Sequence, residues 1–135
     1  METPRFTPLD MVRHTLRQRG LGAIDLNVAP ILVVCWFQEI IDFMVNRTRA
    51  EKSEWWPYQR RCPLYTGDLE DNTVSLLLAP VGAAGTVLML EELIACGVQN
   101  CLGLGMAGSL SPDAPLGSLL VPLSCHSDEG TSPHY

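Results

Sequence analysis

Apolar residues change their spacing several times along this chain, and each change predicts an element. Leu9, Val12 and Leu16 form one stripe of helical period after Thr7. Thr7 supplies a cap, Pro8 suits a first helical turn, and Asp10 is the acidic third position of a capping box. Gly20 and Gly22 end this peripheral helix. Ala29 to Cys35 is apolar without alternation, the pattern of a strand buried on both faces. From Trp36 to Arg49 the period turns helical, with Trp36, Phe37, Ile40, Ile41, Met44 and Val45 on one face and Glu39, Asp42 and Asn46 opposite. A strand that feeds an amphipathic helix is half of a βαβ unit.

Residues 50–62 have no clear period and hold the aromatic run Trp55-Trp56-Pro57-Tyr58. Two readings of that run stand side by side: a packing plug or oligomer contact, and a platform for a ligand. Leu64 to Leu69 and Thr73 to Ala79 read as an antiparallel hairpin turned at Glu70-Asp71-Asn72. Pro80 to Gly85 leads into a helix from Thr86 to Cys96, striped by Val87, Leu90, Leu93 and Ile94 and closed by Gly97. Gln99 to Leu104 and Ser118 to Pro122 are expected as further strands. The succession of strand, glycine loop, helix and strand predicts an α/β domain with a partly parallel sheet.

At 135 residues, the chain has room for one ordinary domain. Residues 1–28 read as an N-terminal helix and lead-in, and residues 29–135 as the body of the domain. Charged residues make up 18%, below the roughly 25% of an average globular chain, so some surface is expected to be covered by a partner or by further chain. The polar run ending at His134-Tyr135 has no closing apolar element, so the chain reads as cut within its architecture.

Net charge is −6 and the basic residues are scattered, which argues against a nucleic-acid partner while leaving room for a small anion. Five cysteines without a CxxC pair, three of them (Cys35, Cys96, Cys101) in or beside apolar runs, suggest buried free thiols in a reducing, cytoplasmic compartment. His14, His126 and His134 are too dispersed for a zinc site, and the apolar runs are strand-sized, so neither a metal nor a membrane is expected.

Gly103, Gly105 and Gly108 imitate a dinucleotide-binding fingerprint. Such a loop must open a helix, and Ser111-Pro112-Asp113-Ala114-Pro115 cannot continue one. The glycines are better placed in a loop at the end of a strand. Together with Pro80 to Gly85, this loop projects from the carboxyl ends of neighbouring strands, the edge where open α/β sheets bind ligands. Free N–H groups beside Gly82 and Gly85 could receive an anion or a hydroxyl, or these glycines could simply allow a tight turn. A third polar cluster runs from Ser127 to Ser132 with His134 and Tyr135, and could hold a sugar or organise a neighbouring loop. No serine elbow or Walker motif accompanies these loops.

In order, the chain carries Tyr65-Thr66-Gly67, Ala79 to Thr86 with Glu91-Glu92-Leu93, Cys101 to Gly108, Leu116-Gly117 and Asp128 to Tyr135. On these motifs it resembles the nucleoside phosphorylase and nucleosidase superfamily, which includes uridine phosphorylase and bacterial purine nucleoside phosphorylases, over the N-terminal part of such a protein. The resemblance implies a three-layer α/β/α fold with a central mixed, twisted sheet. It also implies cleavage of the N-glycosidic bond of nucleosides by phosphate or water, and a homo-oligomer. No cofactor is implied, with inorganic phosphate a possible co-substrate.

By the same resemblance, Gly82 lines the ribose and phosphate pocket, and Gly105, Met106, Ala107 and Gly108 surround the attacking species. Arg60, seven residues before Gly67, matches an arginine that some relatives extend into a partner's site. Glu129 and Thr131 order the adjacent loop. The chain departs from the pattern where Cys35-Trp36-Phe37 replaces a Gly-Asp-Pro loop, where Gly103 replaces an arginine, and where Met106 offers no hydroxyl. A phosphate dianion would lose several charge-assisted bonds of roughly 1.5–3 kcal/mol each, which moves weight from phosphorolysis toward hydrolysis. The alternative is a non-catalytic nucleoside-binding or assembly protein on the same fold.

Overall fold

The computed structural model describes residues 6–22 and 26–135. Helix α1 (Pro8–Arg19) starts on the capping box: the Asp10 amide donates to Thr7 Oγ1 at 3.3 Å, and the Thr7 amide donates to Asp10 Oδ2 at 3.0 Å. These bonds to Thr7 hold the Asp10 carboxyl below its usual range. Gly20 ends the helix in a left-handed conformation, φ 68°, as its lack of a Cβ allows.

Strand β1 (Ile31–Cys35) leads to α2 (Gln38–Thr48), a short β2 (Glu51–Lys52), the hairpin β3 (Leu64–Leu69) and β4 (Asn72–Leu78), then α3 (Ala83–Ala95) and β5 (Asn100–Leu104). The sheet order is β2-β3-β4-β1-β5. β4, β1 and β5 run parallel, while β2, β3 and β4 pair antiparallel, so the sheet is mixed. Helix α2 covers one face; α1, α3 and the aromatic loop cover the other. The result is a three-layer α/β/α architecture. β1 lies inside it with Leu32, Val33, Val34 and Cys35 all buried, which explains its unbroken apolar run.

Side-chain alternation divides the core. Leu32 and Val34 face α1, α3 and the aromatic loop, whereas Val33 and Cys35 face Ile41 of α2. The lead-in to β1 is pinned by buried hydroxyls: the Ala29 amide donates to Ser75 Oγ at 2.9 Å, and Thr66 Oγ1 donates to the Asn27 carbonyl at 2.8 Å. These bonds satisfy polar groups that would otherwise cost about 1–3 kcal/mol each on burial.

Trp55 and Trp56 are completely buried, and the rings of Trp56 and Tyr58 meet edge to face with centroids 5.0 Å apart. Trp56 Nε1 donates to the Cys62 carbonyl at 2.7 Å. The Gln59 side-chain amide bonds the carbonyls of Ser53 and Leu64 and receives the Leu64 amide. The aromatic run is therefore a packing plug, with both indoles unavailable as a ligand platform.

Four expectations change in three dimensions. Trp36 does not share the apolar face of α2: it precedes the helix and packs with the α3-side cluster. Helix α3 is rotated from its expected stripe, so that Met89, Glu92 and Leu93 are buried while Ile94 is 60% exposed. The Tyr58 hydroxyl, which donates to Glu92 Oε1 at 2.9 Å, gives this carboxylate a reason to face inward. Of the three cysteines expected to be buried, Cys35 is, Cys96 is half-buried, and Cys101 is exposed because, among the described residues, β5 is an edge strand with little packed over it. Finally, Ser118 to Pro122 is not a strand. Pro115, Gly117 and Pro122 bracket it closely, its Ser118 amide is turned back to the Pro115 carbonyl at 3.0 Å, and among the described residues it joins no strand of the sheet.

Two predictions follow from this packing. A Cβ added at Gly67 would stand 2.6 Å from both Ala50 Cα and the Thr48 carbonyl oxygen, so Gly67→Ala should destabilise the fold by about 1–3 kcal/mol in urea denaturation. Burial raises the Glu92 carboxyl above its ordinary range, against the opposing pull of the Tyr58 hydroxyl. A raised folded-state value means that its contribution is most favourable below the unfolded value and is lost as pH rises through the folded one. Glu92→Gln, which can still accept the Tyr58 bond, should therefore raise the melting temperature at neutral pH, with the gain vanishing in acid.

Candidate functional site

The parallel register places the carboxyl ends of β1, β4 and β5 on one rim, since Cys35 stands opposite both Leu78 and Leu104. β3 enters at the same rim because it is antiparallel to β4, with Leu64 opposite Leu77. Four segments consequently gather there: Trp36-Phe37 after β1, Ala79 to Gly82 after β4, Gly105 to Gly108 after β5, and Arg60 to Pro63 before β3. Neighbouring strands β1 and β4 send their helices to opposite faces of the sheet. In open α/β sheets a divergence of this kind marks the rim where ligands bind.

Gly82 begins α3 with φ 117° and ψ 142°, a conformation that side-chain-bearing residues rarely adopt. α3 has no side-chain cap, so its first N–H groups are presented at the rim with the positive end of the helix dipole. Gly85 is required for a different reason: a Cβ there would meet Pro80 Cγ at 2.9 Å. Pro80 can thus fold back on the first turn of the helix and fix the direction of its N–H groups.

Trp36 spans part of this rim. Its Nε1 donates to Thr86 Oγ1 at 3.2 Å, and the Thr86 hydroxyl in turn donates a hydrogen bond to the Pro80 carbonyl at 3.0 Å. On the other side, the ring lies within 3.6 Å of where a Cβ of Gly103 would stand and 4.0 Å of one at Gly105. The indole therefore bridges from α3 to β5 across the rim. No motif singled out Trp36 or Thr86 as site residues; the available signal was an aromatic residue placed immediately after a strand buried on both faces.

Gly105, Met106, Ala107 and Gly108 follow β5 at the rim and are exposed, with Met106 at 66%. Arg60 is exposed on the β3 side, where it lines a cavity of about 250 Å³ with Pro57, Tyr58, Arg61, Cys62 and Met89. In that wall, burial first and the Glu92 bond second push the Tyr58 hydroxyl up to about 12, so it remains a proton donor at neutral pH.

Glu129 and Thr131 belong to a separate turn. The Thr131 and Ser132 amides donate to the Glu129 carboxylate at 2.8 and 2.6 Å. Bonding to Ser132, then to Thr131, pulls the Glu129 carboxyl down to about 2. The turn reaches the body of the domain through Tyr135, whose hydroxyl donates to Glu91 on α3 at 2.7 Å. Among the described residues, no hydrogen bond joins it to Gly82 or to residues 105–108, and no group of three or more acidic, histidine or cysteine side chains is arranged to hold a metal.

Residues 30–135 match the model of the phosphorylase superfamily. Over 78 residues the chain is 31% identical to uridine phosphorylase of Treponema pallidum and 27% identical to uridine phosphorylase of Thermococcus kodakarensis. Both alignments cover 58% of this chain, and they cover 30% and 28% of those relatives. The crystal structure of Vibrio fischeri uridine phosphorylase in complex with 6-hydroxy-1-naphthoic acid superposes with a TM-score of 0.54 at 22% identity, over 62% of this chain and 34% of that one. A second structure of the same enzyme gives the same values. The chain thus spans about a third of the length of these relatives. With the family match extending over the sheet, α2, α3 and both rim loops, the chain belongs to the phosphorylase superfamily.

Proposed function

We propose that this chain forms part of a nucleoside-acting protein that cleaves N-glycosidic bonds, with the carboxyl rim as the sugar-facing side of its site. What carries the reading is the convergence of the Gly82 loop and the Gly105–Gly108 loop at a point of helix divergence, in a chain of the phosphorylase superfamily. The uridine phosphorylases it resembles are named for a reaction at a nucleoside, and the reading extends that chemistry to this chain.

In this proposal Gly82 lets the chain pass close to the sugar while the α3 N–H groups receive the attacking oxygen. Gly105, Met106, Ala107 and Gly108 border the same space. Holding the attacking species and sugar in register removes entropy from the barrier, and fixed N–H dipoles stabilise charge as the base departs. Arg60 would act from its exposed position, across a contact between copies in a homo-oligomer, and Glu129 and Thr131 would order a neighbouring loop. The base pocket and the remaining ribose contacts fall to the part of the relatives' length that this chain does not span. Five free cysteines fit a reducing, cytoplasmic setting for such a protein.

Water is the favoured attacking species. Gly103 and Met106 supply neither cation nor hydroxyl, and the neighbour of the glycine loop at Gly103 and Gly105 is the apolar ring of Trp36. The same indole favours a second reading, in which the rim is filled for packing and the protein binds nucleosides or assembles without catalysis.

The longest product of the gene, incubated with a panel of purine and pyrimidine nucleosides with and without phosphate, should release free base in both conditions, with phosphate adding little. Base release only with phosphate would replace hydrolysis by phosphorolysis. No release in either condition would transfer the assignment to the non-catalytic reading.

A further inference from the structure

We propose that Trp36 is a positioning residue of the carboxyl rim, which through the Thr86 hydroxyl fixes the turn that aims the first N–H groups of α3. Its part in the reaction rests on the glycosidic reading above, whereas the fixed geometry does not. Gly82 cannot hold this turn by itself. Its φ of 117° lies where glycine is permissive rather than restrained, a Cβ built on it would meet no neighbouring atom within 4 Å among the described residues, and no side chain caps the helix. The conformation has to be imposed by groups other than Gly82.

Three hydrogen bonds within the chain impose it. The Ala79 amide donates to the Cys35 carbonyl at 2.8 Å, which fastens the start of the loop to the end of β1. At the other end, the Thr86 hydroxyl donates to the Pro80 carbonyl, which lies before the helix. A threonine inside a helix commonly back-bonds to a carbonyl of the preceding turn, so this donation outward ties the helix to its loop. Trp36 Nε1 completes the link at 3.2 Å. An indole N–H can only donate, so the Thr86 oxygen accepts there while its single proton engages Pro80. The donors run one way, from the residue after β1, through α3, to the loop between them.

The same side chain touches the second rim loop. Its ring stands 3.6 Å from a Cβ built on Gly103 and 4.0 Å from one on Gly105. Trp36 itself follows Cys35, the completely buried last residue of β1, so both loops are referenced to a rigid strand. An indole kept only to fill space would be indifferent to loss of the Thr86 hydroxyl. A positioning indole would not, because that loss strands both Nε1 and the Pro80 carbonyl without partners.

The longest product of the gene should be compared with its Trp36→Phe, Thr86→Val and Thr86→Ser variants by amide hydrogen exchange and by nucleoside turnover. Thr86→Val keeps the side-chain shape and removes both bonds. The Thr86 amide, bonded to the Gly82 carbonyl at 3.2 Å, opens the helical ladder. Exchange from Thr86 to Leu88 should quicken about tenfold in Trp36→Phe and in Thr86→Val, with β3 and β4 unchanged. In the same two variants kcat should fall about tenfold, with the nucleoside KM held within about twofold, as expected when an interaction with the attacking oxygen is misaligned rather than substrate binding lost. Thr86→Ser retains the hydroxyl and should recover most of both losses. Unchanged exchange in Thr86→Val would overturn the proposal, and so would quickened exchange with full kcat. A wild type that releases no base counts against the glycosidic reading, and the exchange comparison then decides the positioning role alone.

Discussion

The parallel ladder of β4, β1 and β5 is the constraint on which the remaining arrangement depends. Because Cys35 stands level with Leu78 and Leu104, three strand ends arrive at one rim, and the segments that follow them become neighbours despite their separation in sequence. Burial of β1 on both faces makes this register hard to slip. A shift by one residue would exchange Leu32 and Val34 with Val33 and Cys35 between two cores of different shape. The hairpin then carries β3 back to the same rim, bringing the Arg60 segment with it.

Trp36 shows how a single residue at such a rim serves packing and site geometry together. Its indole N–H engages Thr86 and its ring rests beside Gly103 and Gly105, so the first turn of α3 and the end of β5 are held at a fixed separation. The rim is thus bordered by an aromatic side chain as well as by glycine backbone.

The two sides of the sheet are finished very differently. Around β3 and the aromatic loop, Gln59, Trp56 and the hydroxyls of Ser75 and Thr66 satisfy buried backbone groups and leave a continuous core. Around β5, among the described residues, there is an unpaired strand edge followed by a long exposed segment with few charges. Among the described residues, the β3 side is organised within the chain, while the β5 side presents apolar surface outward. The low share of charged residues in the sequence has its structural counterpart on that second side.

Local signals determined much of this molecule. Thr7, Pro8 and Asp10 specified the start of α1, since a capping box closes within four residues; the unbroken run to Cys35 specified a strand buried on both faces; and Pro112 with Pro115 excluded the helix that the three glycines would need for a dinucleotide. The ordered motifs from Tyr65 to Gly108 were also sufficient to indicate the family. Tertiary structure decided what depends on contacts between distant residues. It turned Trp36 away from α2, rotated α3 so that Glu92 meets Tyr58, left Cys101 uncovered, and kept Ser118 to Pro122 out of the sheet. Periodicity identifies a face that favours burial, but the position of the opposing surface determines which residues of that face are covered. A strand requires a neighbour as well as a pattern.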